Sequence, residues 1–126
     1  MPFLDVKVSN NLYSEESLRP LLDLASQAIS DGFSLKDETV KATVTPVDLF
    51  SIRGNSHAYN AFCYLTVLCF AERSAESRQQ VVQSLAAILK AHFEEEPFEV
   101  SLAVYINPLE RSQTWVGTTA KGTKGE

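Results

Sequence analysis

The sequence predicts an α+β fold made of α/β-type units: two consecutive β-α-β units forming a four-stranded sheet with two helices on one face. Three observations predict it. Apolar and polar residues alternate over residues 3–9, 39–47 and 100–105, the period of a half-buried strand. Two longer stretches carry apolar residues at helical spacing, one after the first strand and one before the last. Between the two halves runs a nearly unbroken apolar segment, residues 59–70, which reads as a strand buried on both faces. Strand–helix–strand connections are right-handed almost without exception, so both helices fall on one side and the other sheet face is left bare. A small domain with such a face is expected to cover it with copies of itself.

In the first strand Leu4, Val6 and Val8 share one face, and Asp5 and Lys7 the other. After a polar turn at Asn10 and Asn11, Ser17 is placed to cap a helix with Pro20 in its first turn, where a missing N–H does no harm. Leu18, Leu21, Leu22, Ala25, Ala28 and Ile29 form its apolar stripe, and Asp31-Gly32 stops it. In the second strand Val40, Ala42 and Val44 alternate with Lys41, Thr43 and Thr45, and Pro46 marks a strand end or a sheet edge. Residues 48–57, with Arg53-Gly54-Asn55, form a connection. Ser74 is a candidate cap for the second helix, striped by Val81, Val82, Leu85, Ile88, Leu89 and Phe93 and followed by Pro97. Residues 1–112 are taken as one domain. Residues 113–126, where Trp115 and Val116 are the strongly apolar positions, are taken as a C-terminal tail that is flexible or ordered by a neighbouring subunit.

The chain has 126 residues, enough for one domain with a sizeable core. A hydrophobic fraction of 44% with 21% charged residues fits a globular protein. The net charge of -5 argues against nucleic acid as a partner, because phosphate binding needs a basic surface. The start lacks a secretory pattern, and the longest apolar run is too short to span a bilayer, so a cytoplasmic location away from membranes is expected. Cys63 and Cys69 sit on one face of the third strand, too far apart to pair, and read as buried thiols.

The residue with the most chemistry in it is Pro2. Removal of Met1 would leave a secondary amine at the start of a strand. A chain-terminal amine has an ordinary pKa of about 7.7–8.0, which desolvation or a nearby cation lowers, giving a general base near neutral pH. Lys41, on the polar side of its strand, and Arg73, where the third strand hands over to the second helix, are the cations best placed to reach it. An arginine beside a helix start suits a carboxylate. Arg53 on the connecting loop is a third candidate. His92 falls on the apolar side of its helix and reads as a packing residue, and His57 lies on a loop. No phosphate cradle, nucleophile–histidine pairing or metal-ligand spacing is evident in the sequence.

The start Met1-Pro2, the doubled strand–helix–strand layout, the run Arg73-Ser74-Ala75-Glu76-Ser77-Arg78-Gln79-Gln80 and the later Leu89-Lys90-Ala91-His92-Phe93 resemble the tautomerase superfamily. Within it the branch resembled is that of 5-carboxymethyl-2-hydroxymuconate isomerase, which acts in aromatic-acid breakdown. The resemblance runs from Met1 to about Phe93. It implies a tautomerase-like fold, a homotrimer with sites near the amino-terminal prolines at subunit boundaries, a small-molecule carboxylate substrate, and no cofactor or metal. Pro2 matches the catalytic proline, and Arg73 an arginine of the family's Arg-Ser-x-Glu-Ser-Arg-Gln-Gln stretch. Lys41 stands where the isomerase has a site arginine, which keeps the charge but not the two-pronged fork. Phe3 would give the site an apolar wall, and the 48–57 connection would bring Arg53 to its mouth. The function so implied is proton transfer within an unsaturated 2-hydroxy or 2-oxo acid. The same proline could serve hydration or dehalogenation, given a water-activating partner. A trimeric binding or structural protein that keeps the fold without the activity is the non-enzymatic alternative.

Overall fold

The computed structural model describes residues 2–36, 39–53 and 59–119, with Tyr59 described through its backbone. Four strands, β1 (Phe3–Ser9), β2 (Lys41–Val47), β3 (Tyr59–Phe70) and β4 (Glu99–Leu109), alternate with two helices, α1 (Glu15–Gly32) and α2 (Ala75–Phe93). The sheet order is β2-β1-β3-β4. Each β-α-β unit contributes one parallel pair, β1 with β2 and β3 with β4, and the two units join antiparallel through β1 and β3. The predicted architecture is the one observed.

Period-two alternation decides which side of each strand meets the helices. Leu4, Val6 and Val8 of β1 and Ala61, Cys63, Leu65 and Val67 of β3 point into the core. Leu18, Leu21, Ala25 and Ile29 of α1 and Val81, Leu85, Leu89 and Phe93 of α2 close over them as one cluster. Both helices therefore share one sheet face. That arrangement corrects the expectation that β3 is buried on both sides. Tyr64, Thr66, Leu68 and Phe70, on its other face, are half-buried in the protomer because nothing from the helices reaches them. Phe62 is covered there by the ring of Phe50, edge-on at 5.2 Å. At the far end of β1 the buried Ser9 hydroxyl accepts from the Phe62 N–H at 2.9 Å and lies 3.3 Å from the Phe62 carbonyl, satisfying polar groups that would otherwise be stranded.

Several element limits follow from local chemistry. β2 is an edge strand, which is why Pro46 is accommodated within it. Ser74 caps α2 by accepting from the Ser77 N–H at 3.1 Å. The cap of α1 is Ser14 rather than Ser17: the Ser14 hydroxyl accepts from the Ser17 N–H at 3.3 Å. Glu15 and Glu16 then occupy the first turn, where the helix dipole favours acids. Pro20 consequently lies in the second turn, on the exposed side. Gly32 ends α1 against α2, where a β-carbon would sit 2.5 Å from Val81 Cγ2. β4 runs four residues beyond its expected end at Tyr105, to Leu109.

Candidate active site

Strand register assembles the site. Phe3 is opposite Lys41 on β2 and Leu68 on β3, so these three residues form one row across the sheet end where β1 begins. The Lys41 N–H donates to the Pro2 carbonyl at 3.3 Å, which extends the β1–β2 ladder by one step and ties Pro2 to the edge strand. Pro2 is fully buried. Beside it opens a pocket of about 300 Å³ lined by Pro2, Phe3, Lys41, Leu68, Trp115, Val116 and Gly117. A larger surface groove of about 650 Å³ between the helices is walled by Asp31, Gln80, Gln83 and small residues and offers no comparable base.

Three of the five residues singled out from sequence, Pro2, Phe3 and Lys41, thus meet in one pocket. Arg73 and Arg53 do not line it. Arg73 follows β3 and is half-buried, with its Nη1 donating to the Phe33 carbonyl at 3.1 Å and its guanidinium 5.3 Å from the Phe33 ring centre. These contacts tie the start of α2 to the end of α1. Arg53 is exposed on the chain leaving β2. Residues 54–58 of that connection, His57 included, lie outside the described residues.

The residues that sequence reasoning missed are Trp115, Val116 and Gly117. Their composition reads as a tail, yet they form one wall of the pocket. After β4 a short 3-10 turn, Arg111–Gln113, redirects the chain. The Gln113 N–H and Thr114 hydroxyl both donate to the Glu110 carbonyl, at 3.0 and 2.8 Å. The turn is anchored by Arg111, whose Nε donates to Glu72 Oε2 at 2.7 Å and whose Nη2 lies 3.4 Å from Glu72 Oε1. The same guanidinium lies 3.8 Å over the Phe70 ring. The hydrogen bond from Arg111 is the main reason the Glu72 carboxyl is held below its ordinary range. Apolar residues beside a charged turn near the chain end were the one available sequence signal for this wall.

Cys63, Cys69 and His92 are packed rather than lining the pocket. Burial pushes the Cys63 thiol up to about 12. Burial also raises Cys69, against the opposing pull of Arg78 and Arg73. His92 Nε2 lies 3.4 Å from the Ser17 hydroxyl and its ring meets Phe93 edge-on, as expected of a packing histidine between the helices. Among the described residues no group of His, Cys, Asp or Glu side chains is arranged to hold a metal ion. No helix among them is long and apolar enough to cross a membrane.

No protein-family model matches the sequence, and no curated protein does. Solved structures match it closely in shape. A 5-carboxymethyl-2-hydroxymuconate isomerase from Deinococcus radiodurans R1 superposes with a TM-score of 0.80 at 20% identity, over 94% of this chain and 90% of that one. A native fused 4-OT gives 0.76 at 15% identity, over 91% and 92%. An FG41 malonate semialdehyde decarboxylase inhibited by 3-bromopropiolate gives 0.68 at 14% identity, over 94% and 91%. These proteins are tautomerase-superfamily members, and the chain described here has their fold.

Proposed function

We propose that the protein is a cofactor-independent tautomerase that moves a proton within an unsaturated 2-hydroxy or 2-oxo carboxylic acid, of the 5-carboxymethyl-2-hydroxymuconate kind. The observation that carries this reading is Pro2, buried at the wall of a pocket that also holds Lys41, within a fold shared with isomerases. Once Met1 is removed, the Pro2 nitrogen is a secondary amine in the pocket that Lys41 also lines, and a neighbouring ammonium favours its neutral form.

In the proposed reaction the nitrogen takes the proton from the enol hydroxyl. The O–H electron pair becomes the carbonyl, the double bonds shift along the conjugated chain, and the prolinium returns the proton to the carbon at its far end. Lys41 holds the carboxylate and offsets negative charge developing on oxygen. Phe3 and Leu68 exclude water from the reacting carbons. Arg73 and Arg53 lie outside the pocket of one protomer, so the substrate-binding roles expected of them call for a site assembled between copies. A homotrimer would supply that.

The test joins intact mass with turnover. Native protein should lack Met1 and should ketonise phenylenolpyruvate, and Pro2→Ala should lower the rate about 10²–10⁴-fold, the usual worth of general acid–base assistance. Full activity in Pro2→Ala, or in protein that retains Met1, rules out the proline as base. Enol binding without turnover in correctly processed protein would favour the non-catalytic trimeric binding protein instead.

A further inference from the structure

We propose that the Met1–Pro2 bond is a processing site open to a methionine aminopeptidase only before β1 pairs, so that folding ends the chance to make the base. The proposal rests on the tautomerase reading only for the need of a free Pro2 amine; access to the bond follows from the fold alone. The step is a hydrolysis. Water breaks the amide between the Met1 carbonyl carbon and the Pro2 nitrogen. Its oxygen leaves with the methionine carboxylate, and a proton goes to the nitrogen, which becomes a secondary amine.

Chain starts are usually loose unless a sheet ties them down. Here the tie begins at the residue directly after the bond. The Pro2 carbonyl accepts from the Lys41 N–H at 3.3 Å, and Pro2 is fully buried. Phe3 is paired on both sides, with Lys41 of β2 and Leu68 of β3, because β1 is an interior strand. Leu4 follows in the core cluster with no exposed surface. An aminopeptidase has to grip the residues just after the bond it cuts, and those are Pro2, Phe3 and Leu4. The pocket beside Pro2, about 300 Å³, is of a size that admits a small molecule and not the walls of an enzyme cleft. Cutting the folded chain therefore requires the start of β1 to leave both neighbouring strands. Interior strands are among the last parts of a fold to open, and cleavage then follows the small open population. A nascent or unfolded chain meets no such barrier. A chain that folds with Met1 in place keeps the Pro2 nitrogen as an amide.

Full-length protein carrying Met1, made by cell-free translation without the aminopeptidase and then folded, is the substrate for the test. A peptide spanning residues 1–8 is its reference. Both are treated with a purified methionine aminopeptidase, and loss of methionine is followed by intact mass. The folded chain should be trimmed at least about 100-fold more slowly than the peptide. Inserting Ser-Gly-Ser between Met1 and Pro2 moves the bond off the ladder, and that folded chain should be trimmed within about threefold of the rate for its own peptide. Leu4→Ala, which loosens the start of β1, should speed trimming of the folded chain at least about tenfold. Trimming of the folded parent at the peptide's rate, a peptide that the enzyme does not cut, an insertion variant as resistant as the parent, or a Leu4→Ala chain trimmed no faster would each overturn the proposal. Turnover separates it from the assigned reaction. Protein trimmed before folding that fails to ketonise phenylenolpyruvate removes the base and leaves the order of events standing. Folded protein trimmed at the peptide's rate, with ketonisation rising as methionine is lost, removes the order and keeps the base.

Discussion

Replacing Gly32 by alanine probes the contact that sets the two helices against each other. The new β-carbon would lie 2.5 Å from Val81 Cγ2, 3.8 Å from its Cβ and 3.9 Å from its Cα. Carbon atoms prefer about 3.5–4.0 Å, so the Cγ2 contact is short by roughly 1 Å. Val81 is 1% exposed and cannot swing into solvent. Forcing a methyl group into packed surroundings of this kind costs about 1–3 kcal/mol. Alanine in a helix returns about 0.8–1.0 kcal/mol relative to glycine, leaving a net loss of about 0–2 kcal/mol. Val81→Ala alone should cost about 2 kcal/mol, from two lost methyl groups and the cavity they leave. In the double variant the methyl group added at position 32 has room, so the pair should be less destabilised than the sum by about 1–2 kcal/mol. Urea unfolding followed by circular dichroism checks this, at one fixed protomer concentration because self-association would add to stability. A Gly32→Ala protein stabilised by the full propensity gain, with a cycle additive to within about 0.3 kcal/mol, would refute the close approach. The consequence reaches the start of α2, because Gly32 precedes Phe33, whose carbonyl receives Arg73.

Lys41→Ala should raise KM for carboxylate enols at least about tenfold, and Lys41→Arg should preserve or improve it, read from steady-state ketonisation. Both cysteines should resist a thiol reagent at pH 8 in the folded protein, Cys63 above all since burial pushes it to about 12, and both should react on unfolding. Burial holds His92 below its ordinary value, with Glu96 pulling weakly the other way. The unfolded chain therefore binds a proton that the folded chain resists, so stability is unaffected above 6.5 and declines as pH falls below it until the folded imidazole protonates too. His92→Gln should flatten that decline in urea midpoints measured between about pH 5 and 7.

How much was legible depended on the range of the interactions involved. The limits of β3 and the cap at Ser74 were readable because each is decided within a few residues. Ser14 is easily passed over in favour of Ser17 because both are followed by helix-forming residues, and the acids at Glu15 and Glu16 decide between them. Arg73 stands at the start of α2 as its sequence position implies, but its contact with Phe33, 40 residues away, could not be seen from spacing. Trp115, Val116 and Gly117 carry no periodicity, so nothing local distinguished a pocket wall from a loose tail.

The order of polar and apolar residues by itself determined the four strands and the two helices, and the face that each amphipathic element buries, since side-chain direction follows from backbone period alone; which face of the uniformly apolar β3 meets the helices was decided by the fold. It also singled out Pro2 as the candidate base, because a chain-terminal amine, exposed there once Met1 is removed, needs little help to titrate near neutrality. Only the folded chain decided what surrounds that proline. Register set Lys41, Phe3 and Leu68 in one row, and the Arg111–Glu72 pair brought Trp115 to face them. Such neighbours are chosen by pairing between distant segments, whose energies depend on every element in between and leave no periodic trace in the sequence.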